Sequence, residues 1–411
     1  MKRALILTVT AGNGHNSAAR AMKNRLEQVG IECKLVDIVK EYTSSLNTWT
    51  IDKGYNLSVG YLRPIYDAFY KAYLVHDPKK ASVAPTQKTV KKMNAALLKT
   101  IYDFKPDVIY GTSFYCGMAL ANLKRVYDIP AQVVCCMLDY VVSPFWESSI
   151  DSGAYLTITN DDFRQTLLDK GFSNDKLVST GIPVDEKFLK FIDKREAREK
   201  LGLKQDVFTV FVFYGGGHWR GGYSVLKKLV KNFKRELQIV IVNGRDEKTK
   251  AKIDKEMSKY PSNITVKNIG FSKEVDLIMS AVDVMIGKGG GLSATEAVSK
   301  GLPLIATKKL PGQEFYNIKY LQEKGTALTF KNAKELLKHV NDIYDHPEKL
   351  KEMSMQLEGL KMEGMANVFN LIMGQKEVNY DGVDTNVDYS KVEKNVNKAR
   401  KARYKELKKK K

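Results

Sequence analysis

Residues 4–17 read ALILTVTAGNGHNS, an apolar run that ends at a glycine-rich turn and leads into helix-forming sequence. A continuous apolar run, without alternating polar residues, indicates a strand buried on both faces, as in a parallel sheet. A glycine-rich turn between such a strand and a helix is typical of the first βα unit of a doubly wound fold, where the helix N-terminus can bind an anion. The stretch therefore predicts an α/β chain.

The same alternation of apolar runs and helix-length segments continues in two series along the chain. Two such series predict two doubly wound domains, with the boundary near residues 181–185. We expect domains at residues 1–184 and 185–374, a basic tail at 375–411 that is flexible or helical, and a ligand cleft where the strand ends of the two sheets face each other. The predicted strands are 4–9, 31–38, 107–111, 132–138, 155–159 and 177–183 in the first series, and 208–214, 238–243, 264–269, 282–287, 302–306 and 327–330 in the second.

Composition and charge narrow the class of protein. The chain has 411 residues, of which 43% are hydrophobic and 28% charged, so it is neither a disordered nor a membrane-embedded protein. The net charge of +20 predicts attraction to nucleic acid, acidic lipid or a phosphorylated ligand. Residues 391–411 hold eleven basic and two acidic side chains, so much of the excess lies in the tail.

Cysteine spacing and hydropathy predict a cytoplasmic protein. The four cysteines show no metal-binding spacing, and we expect reduced thiols. The first apolar run is too short for a signal peptide, and no run approaches the roughly 18 residues of a spanning helix. Residues 42–75 are rich in aromatic and basic side chains. They form either helices packed on the first domain or an amphipathic patch at a lipid interface.

Two titratable side chains follow strands of the first series. His15 lies beside Gly14 in the glycine-rich turn, where there is little core to fill, and Asp139 follows the run 132–138. Either side chain could act as a general base, although a structural histidine and a capping aspartate are the simpler alternatives. Read as a dinucleotide fingerprint, the turn lacks its third glycine, while Asp37 is suitably placed.

Three motifs follow strands of the second series, at residues 215–218, 288–296 and 311–317. The glycine amides and the Lys288 cation suit a diphosphate, and Glu296 can accept hydrogen bonds from ribose hydroxyls. The alternatives are a flexible turn, an exposed glutamate and a helix cap. The third motif offers donors and acceptors that suit sugar hydroxyls: Gln313, Glu314 and Asn317.

In this order, the motifs resemble the glycosyltransferase family that contains plant monogalactosyldiacylglycerol synthases and bacterial processive diacylglycerol glucosyltransferases. The chain is more distantly similar to the lipid-II-forming GlcNAc transferase. The resemblance runs from Arg3 to about Met373. It rests on G-N-G-H at 12–15, L-D-Y…W at 138–146, G-I-P-V at 181–184, G-G-L-S-A-T-E at 290–296 and P-G-Q-E…N at 311–317.

The resemblance implies a two-domain GT-B fold and an inverting transfer of glucose or galactose from a UDP-sugar to diacylglycerol or a glycosyl-diacylglycerol. No metal or other cofactor is expected. The second domain would bind the donor, and the first domain with its aromatic insert would bind the lipid. The enzyme would lie on the inner face of the cell membrane.

The resemblance also assigns residues. His15 and Asp139 are the general-base candidates. The resemblance implies a donor site that binds the uracil, ribose, diphosphate and hexose of the UDP-sugar. Its residues are Gly14, Gly216, Gly217, Phe271, Ser272, Lys288, Gly290, Gly291, Leu292, Ser293, Glu296, Gln313, Glu314 and Asn317. In this series Phe271 and Ser272 lie against uracil, Glu296 binds ribose and Ser293 binds the diphosphate. Gln313, Glu314 and Asn317 read the hexose.

Four positions depart from the family pattern. The family commonly has Arg after G-I-P-V and Pro after the lysine that corresponds to Lys288. In the Asp139 motif it commonly has Thr before the aspartate and His before the tryptophan. This chain has Asp185, Gly289, Leu138 and a Ser143-Pro144 pair.

Other functions remain open at this point. A transferase to a polyprenyl-linked or soluble acceptor would keep the donor site. A UDP-GlcNAc 2-epimerase shares the fold, but the P-G-Q-E…N motif argues against it. The charge also allows a nucleic-acid-binding protein, although no RNA-binding module is present. Near an anionic leaflet the tail would instead act as a reversible membrane tether.

Overall fold

The computed structural model describes residues 1–10, 13–42, 93–214, 219–308, 310 and 312–409. The aromatic and basic insert predicted at 42–75 therefore lies, beyond Tyr42, outside the described residues. All twelve predicted strands are present, each within a few residues of its predicted bounds. They are β1 (Arg3–Thr8), β2 (Glu32–Asp37), β3 (Val108–Gly111), β4 (Gln132–Cys136), β5 (Tyr155–Ile158), β6 (Leu177–Ser179), β7 (Thr209–Phe213), β8 (Leu237–Val242), β9 (Ile264–Ile269), β10 (Val284–Gly287), β11 (Leu304–Thr307) and β12 (Ala327–Phe330).

Helices follow the strands as the alternation predicts. They are α1 (Asn13–Gln28), α2 (Ile38–Tyr42), α3 (Asn94–Phe104), α4 (Phe114–Lys124), α5 (Arg164–Asp169), α6 (Lys194–Lys200), α7 (Trp219–Asn232), α8 (Glu247–Met257), α9 (Val275–Ala281), α10 (Gly291–Ser299), α11 (Gly312–Glu323), α12 (Ala333–Asp345), α13 (Pro347–Glu358), α14 (Gly364–Met373) and α15 (Val392–Lys409). A 3-10 helix at Pro144–Ser152 packs against α4.

The strands form two six-stranded sheets. One has the order β2-β1-β3-β4-β5-β6 and the other β12-β11-β10-β7-β8-β9, and the pairs in both are parallel. Each sheet has a point where the chain reverses its direction of strand addition: between β1 and β3 in the first sheet, and between β7 and β10 in the second. Ligands of open α/β sheets bind at such switch points, beyond the carboxyl ends of the strands.

Each sheet lies at the centre of its own hydrophobic core. In the first core Leu5, Leu97 and Ile109 are fully buried, and in the second Val210 and Ile239 are fully buried. Burial on both faces of the strands explains their continuous apolar runs. The fold class predicted from the sequence is therefore confirmed.

The chain divides into two compact units, one formed by Met1–Pro183 with Glu363–Lys411 and the other by Val184–Met362. The division differs from the predicted one at the C-terminal end, where we expected residues up to 374 in the second domain and a separate tail beyond them. The reason is packing, because Tyr380 and Val392 are buried in the core of the first unit.

Candidate active site

His15 lies in the first turn of α1, immediately beyond β1, and is half-buried. Its Nδ1 is 2.5 Å from the main-chain oxygen of Thr112, a fully buried residue that follows β3. A carbonyl oxygen only accepts hydrogen bonds, so Nδ1 carries the hydrogen in this contact. In the neutral ring the lone pair is then on Nε2, which is the atom able to accept a proton.

Asp139 follows β4 and is half-buried. Its main-chain oxygen accepts a hydrogen bond of 2.8 Å from the Thr159 hydroxyl. Burial lowers the pKa of His15, and the Asp139 carboxylate and the Thr112 carbonyl oppose this effect by raising it. The net effect is a lowered pKa, so the neutral form of His15 is favoured at pH 7, although the Asp139 carboxylate stabilises the protonated form. The structure thus brings together the two residues that the sequence proposed as a base.

Asp37 has a structural role in the same unit. Its Oδ1 accepts hydrogen bonds from the main-chain N–H groups of Val39 (3.1 Å) and Lys40 (3.0 Å), and its Oδ2 accepts one from the Thr10 hydroxyl. These bonds cap the N-terminus of α2. Asp37 therefore caps a helix here, whereas the sequence had suggested a place in a dinucleotide fingerprint.

The turn after β10 in the second unit packs tightly on α11. A Cβ atom on Gly289 would lie 2.2 Å from Ile318 Cγ1 and 2.6 Å from the main-chain oxygen of Glu314, so only glycine fits there. The buried Asn317 donates from Nδ2 to the main-chain oxygen of Gly289 over 2.9 Å. The amide of Asn317 thus holds the turn in place.

This turn leads directly into the N-terminus of α10. Gly290 is the N-cap, Gly291 is the first helical residue, Leu292 follows it, and the Ser293 hydroxyl donates to the main-chain oxygen of Gly290 over 3.1 Å. The first amides of a helix lack partners within the helix and carry the positive end of its dipole. The nine-residue α10 therefore presents an anion-binding end at the switch point of the second sheet.

A half-buried ion pair lies beside this helix end. Lys288 Nζ is 2.8 Å from Glu314 Oε1, and the two side chains are only 21% and 15% exposed. The charge that we expected to bind a diphosphate is thus already paired with the carboxylate that we expected to bind a hexose. Gln313, which precedes Glu314 in the first turn of α11, is half-buried.

Glu296 lies one turn further along α10. Burial raises its pKa to about 8, against the Lys187 cation that lowers it, and Asp185 and Asp276 raise it further. Lys187 donates to the main-chain oxygen of Lys273 over 2.5 Å and lies 3.4 Å from Asp276. Glu296 is therefore mostly protonated at neutral pH, in a setting of mixed charge.

Phe271 follows β9 and presents an unusually exposed ring. Its exposed fraction is 60%, and the Arg245 guanidinium lies 5.8 Å from the ring centroid. The neighbouring Ser272 hydroxyl accepts a hydrogen bond of 3.0 Å from the main-chain N–H of Glu274. An exposed aromatic face at the carboxyl end of a strand is suited to stacking against a planar ring.

Family models match both units. Residues 15–184 match the family described as monogalactosyldiacylglycerol (MGDG) synthase, and residues 209–369 match the glycosyltransferase family 28 C-terminal domain. Residues 209–369 thus carry the C-terminal domain of family 28 glycosyltransferases, and the chain is a glycosyltransferase. The family resemblance predicted from the motifs is confirmed.

Individual proteins are similar to this chain over most of its length. The processive diacylglycerol beta-glucosyltransferase of Bacillus licheniformis is 24% identical over 370 residues, which are 89% of this chain and 93% of that relative. The structure of Acinetobacter baumannii MurG aligns with a TM-score of 0.61 at 15% identity, covering 91% of this chain and 99% of that one. Anabaena Alr3699/HepE in complex with UDP and glucose aligns with a TM-score of 0.52 at 14% identity, over 91% and 98% of the chains. These structures show the GT-B fold.

The glycosyltransferase carries its candidate residues in both matched segments. His15 and Asp139 lie in the first segment. The residues from Phe271 to Asn317 lie in the second. Gly14 lies in the first turn of α1 beside His15, whereas Gly216 and Gly217 lie outside the described residues.

Sequence reasoning missed three residues of these sites. Thr112 and Arg245 could have been found, because each comes shortly after the carboxyl end of a predicted strand. Lys187 could not have been found in this way, because it lies several residues beyond the end of β6. Only the fold brings it near Glu296.

Metal-binding clusters and membrane-spanning helices are both absent from the described parts of the chain. Within them, no group of three or more His, Cys, Asp or Glu side chains has the arrangement to hold a metal ion. No helix there combines the length and the apolarity that crossing a membrane requires.

Proposed function

We propose that this glycosyltransferase transfers glucose or galactose from a UDP-sugar to diacylglycerol, or to a glycosyl-diacylglycerol, at the inner face of the cell membrane. The observation that carries the proposal is the match of the first unit, which holds His15 and Asp139, to the MGDG synthase family. The name of the Bacillus licheniformis relative, a diacylglycerol glucosyltransferase that spans nearly the same length, supports the same acceptor.

The second unit supplies the donor site in this proposal. The exposed ring of Phe271, with Ser272 beside it, binds uracil. Glu296 accepts hydrogen bonds from the ribose hydroxyls, and the N-terminus of α10 binds the diphosphate. The complex of Alr3699/HepE with UDP and glucose, a protein of the same fold, supports a nucleotide-sugar donor.

The hexose would be bound beside the ion pair of Lys288 and Glu314. A diphosphate that draws Lys288 toward itself leaves Glu314 with an acceptor oxygen for sugar hydroxyls. Donor binding would therefore split an existing pair and use both of its members, with Gln313 adding an amide. The pair keeps each charge satisfied until the donor binds, at the positions where the donor needs them.

The chemistry is a single displacement with inversion. His15 Nε2 takes the proton of the acceptor hydroxyl as its oxygen bonds to the anomeric carbon and the bond from that carbon to the UDP oxygen breaks. Asp139 stabilises the imidazolium that forms. The end of α10 and Lys288 stabilise the charge on departing UDP, so we propose a transfer that needs no metal ion.

Radiolabelled transfer tests the proposal. The full chain is incubated with UDP-[14C]glucose or UDP-[14C]galactose and vesicles that contain diacylglycerol, and label is counted in the chloroform-soluble fraction. We expect a labelled lipid with one donor, whose identity names the hexose, and a β-linked product. The matched control is His15→Ala, which should bind UDP and transfer label about a thousandfold more slowly. A wild-type protein that binds UDP and labels no lipid with either donor would overturn the proposal.

A parallel incubation distinguishes the acceptors. It replaces diacylglycerol with a polyprenyl phosphate or with a soluble sugar acceptor. Label that enters only these products would assign the same donor chemistry to another acceptor, and would refute the lipid acceptor proposed here.

A further inference from the structure

Helix α15, in the basic C-terminal segment, is fixed to the first unit along one face. Val392 and Val396 are buried in the core of that unit. Glu393 accepts hydrogen bonds of 3.1 Å from the main-chain N–H and from Nδ2 of Asn94, and Arg403 lies 3.2 Å from Asp151. The helix is therefore a part of the first unit, whereas a tether would be a loose chain.

The opposite face of α15 carries a row of lysines, which we call the lysine stripe: Lys394, Lys398, Lys401 and Lys405. All four are exposed. Their spacing of four, three and four residues places them on one side of a helix, within about 17 Å of each other along its axis. Among the residues that the structure describes, none of the four forms an ion pair.

The acidic residues of α15 do not neutralise the stripe. Glu393 is engaged by Asn94, and Glu406 lies 3.5 Å from Arg403. The stripe therefore presents a straight row of four positive charges on a helix that cannot turn away, because its other face is packed.

Helix α8 of the second unit provides an instructive contrast. Lysines with the same spacing, at positions 248, 252, 255 and 259, are exposed along and just beyond it. There, however, acidic residues lie among the lysines, and Lys250 pairs with Asp254 over 2.7 Å. Helix α8 holds four lysines and three acidic residues, whereas α15 holds eight basic and two acidic residues, so of these two helices α15 carries much the larger positive charge.

We propose that the lysine stripe docks the first unit on an anionic membrane surface, with α15 lying along the headgroups. The proposal rests on the proposed function, since an enzyme with a lipid acceptor must meet a bilayer. A straight row of flexible ammonium groups suits a plane of phosphates. The four residues are all lysine, without the aromatic or arginine side chains that stack on nucleic-acid bases, so a membrane is favoured over a nucleic acid.

Binding to vesicles tests the proposal. The variant Lys394→Gln/Lys398→Gln/Lys401→Gln/Lys405→Gln of the full chain is compared with wild type on vesicles of 30% phosphatidylglycerol in phosphatidylcholine. Each lysine near an anionic leaflet contributes about 1 kcal/mol, so we expect the partition coefficient to fall about 100-fold or more. The matched control is the same substitution at Lys248, Lys252, Lys255 and Lys259, which removes the same charge and should change binding less than about threefold.

Three results would overturn the proposal. They are unchanged flotation of the stripe variant, equal losses in both quadruple variants, and a loss of duplex DNA binding without a loss of vesicle binding. The last result would assign the stripe to a nucleic acid. Thermal melts verify that the exposed substitutions leave the fold intact. Deletion of 391–411 is avoided, because it would also remove Val392 and Val396 from the core.

One further assay separates this proposal from the function on which it rests. Transfer to a short-chain diacylglycerol in detergent needs no bilayer. If the proposed function holds, wild type and both variants are equally active there, whatever the vesicles show. Loss of transfer in all three would refute the function, and the vesicle measurements would still decide the stripe.

Discussion

The two sheets share a plan but differ in the chemistry at their switch points. In the first sheet, β1 and β3 lead to His15 and Thr112, which form a hydrogen bond. In the second, β10 leads to a glycine turn, a helix N-terminus and the ion pair of Lys288 and Glu314. One switch point presents a desolvated neutral base, and the other presents fixed amides and a paired cation. In the proposed function, a single topology thus supports a group that moves a proton in one unit and a group that holds an anion in the other.

The two switch points differ in how they meet the cost of burying a charged group. Burial lowers the pKa of His15, so the group stays neutral and keeps its proton-accepting nitrogen. Burial at the second switch point is instead balanced by pairing, since Lys288 and Glu314 neutralise each other. If the comparison is right, substitutions in the first unit change the rate, and substitutions in the second change the affinity for UDP.

The largest expected effect is that of His15→Ala. Loss of a general base lowers kcat by about a thousandfold. The Kd for UDP should stay within about twofold of wild type, because the donor residues from Phe271 to Asn317 lie in the other unit. Single-turnover kinetics and calorimetry of UDP binding measure the two quantities. A kcat within tenfold of wild type would remove His15 from the proton transfer and break the comparison.

The ion pair of Lys288 and Glu314 gives the next largest effect. Lys288→Met leaves a largely buried carboxylate without its partner, so we expect UDP affinity to fall about 10- to 100-fold and the free energy of unfolding to fall by about 1–2 kcal/mol. The double variant Lys288→Met/Glu314→Gln removes both charges and should recover the stability but not the affinity. Chemical denaturation and calorimetry separate these results, and a Lys288→Met protein that binds UDP like wild type would show that the pair only stabilises the fold.

The strands and the locations of the sites were predictable from the sequence, because both follow local rules. A strand buried on two faces must be apolar throughout, and side chains that follow such strands collect at one edge of the sheet. His15, Asp139 and Glu296 were proposed in this way.

The return of the C-terminal segment to the first unit was not predictable. Residues 375–409 bury few apolar side chains, chiefly Tyr380, Val392 and Val396, among many lysines, so the segment reads as a polar tail. The pairing of Lys288 with Glu314 was also hidden, because the two positions are 26 apart in the sequence and a complete β-strand lies between them. Contacts of this kind depend on tertiary structure and leave no periodic pattern.

Asp139→Asn tests the first switch point with a smaller effect. The Asp139 carboxylate raises the pKa of His15, so its neutralisation should lower that pKa further. His15 would then stay unprotonated to lower pH, and the acidic limb of the kcat/KM profile should move to lower pH. The plateau should fall about tenfold, because the imidazolium loses a stabilising charge. A limb that does not move, or that moves to higher pH, would show that Asp139 does not act on the base.

The smallest effect concerns Glu296. Like His15 it is a group whose pKa is shifted by burial, but it lies in the second unit, beside the proposed diphosphate site. Its pKa of about 8 means that only about a tenth of the protein is ionised there at pH 7 and about nine tenths at pH 9. If ribose hydroxyls donate to the carboxylate, UDP affinity should rise by up to about tenfold over this range, and Glu296→Gln should show no rise. The range lies above the second ionisation of the UDP phosphate, with a pKa near 6, so the ligand contributes little to the change.

Stability provides the control for that measurement, with the opposite dependence on pH. A carboxyl group whose pKa is raised on folding binds more protons in the native state between its unfolded pKa, near 4.5, and its folded pKa, near 8. The free energy of unfolding should therefore fall as pH rises through this window, and Glu296→Gln should reduce the slope. As pH rises, the affinity for UDP should increase while the free energy of unfolding decreases. Both changes together would identify Glu296 as the titrating group, because its ionised form accepts hydrogen bonds from the ligand but is costly to bury. If the slope persists in the variant, the titrating group lies elsewhere, and the second switch point contains fixed charges alone.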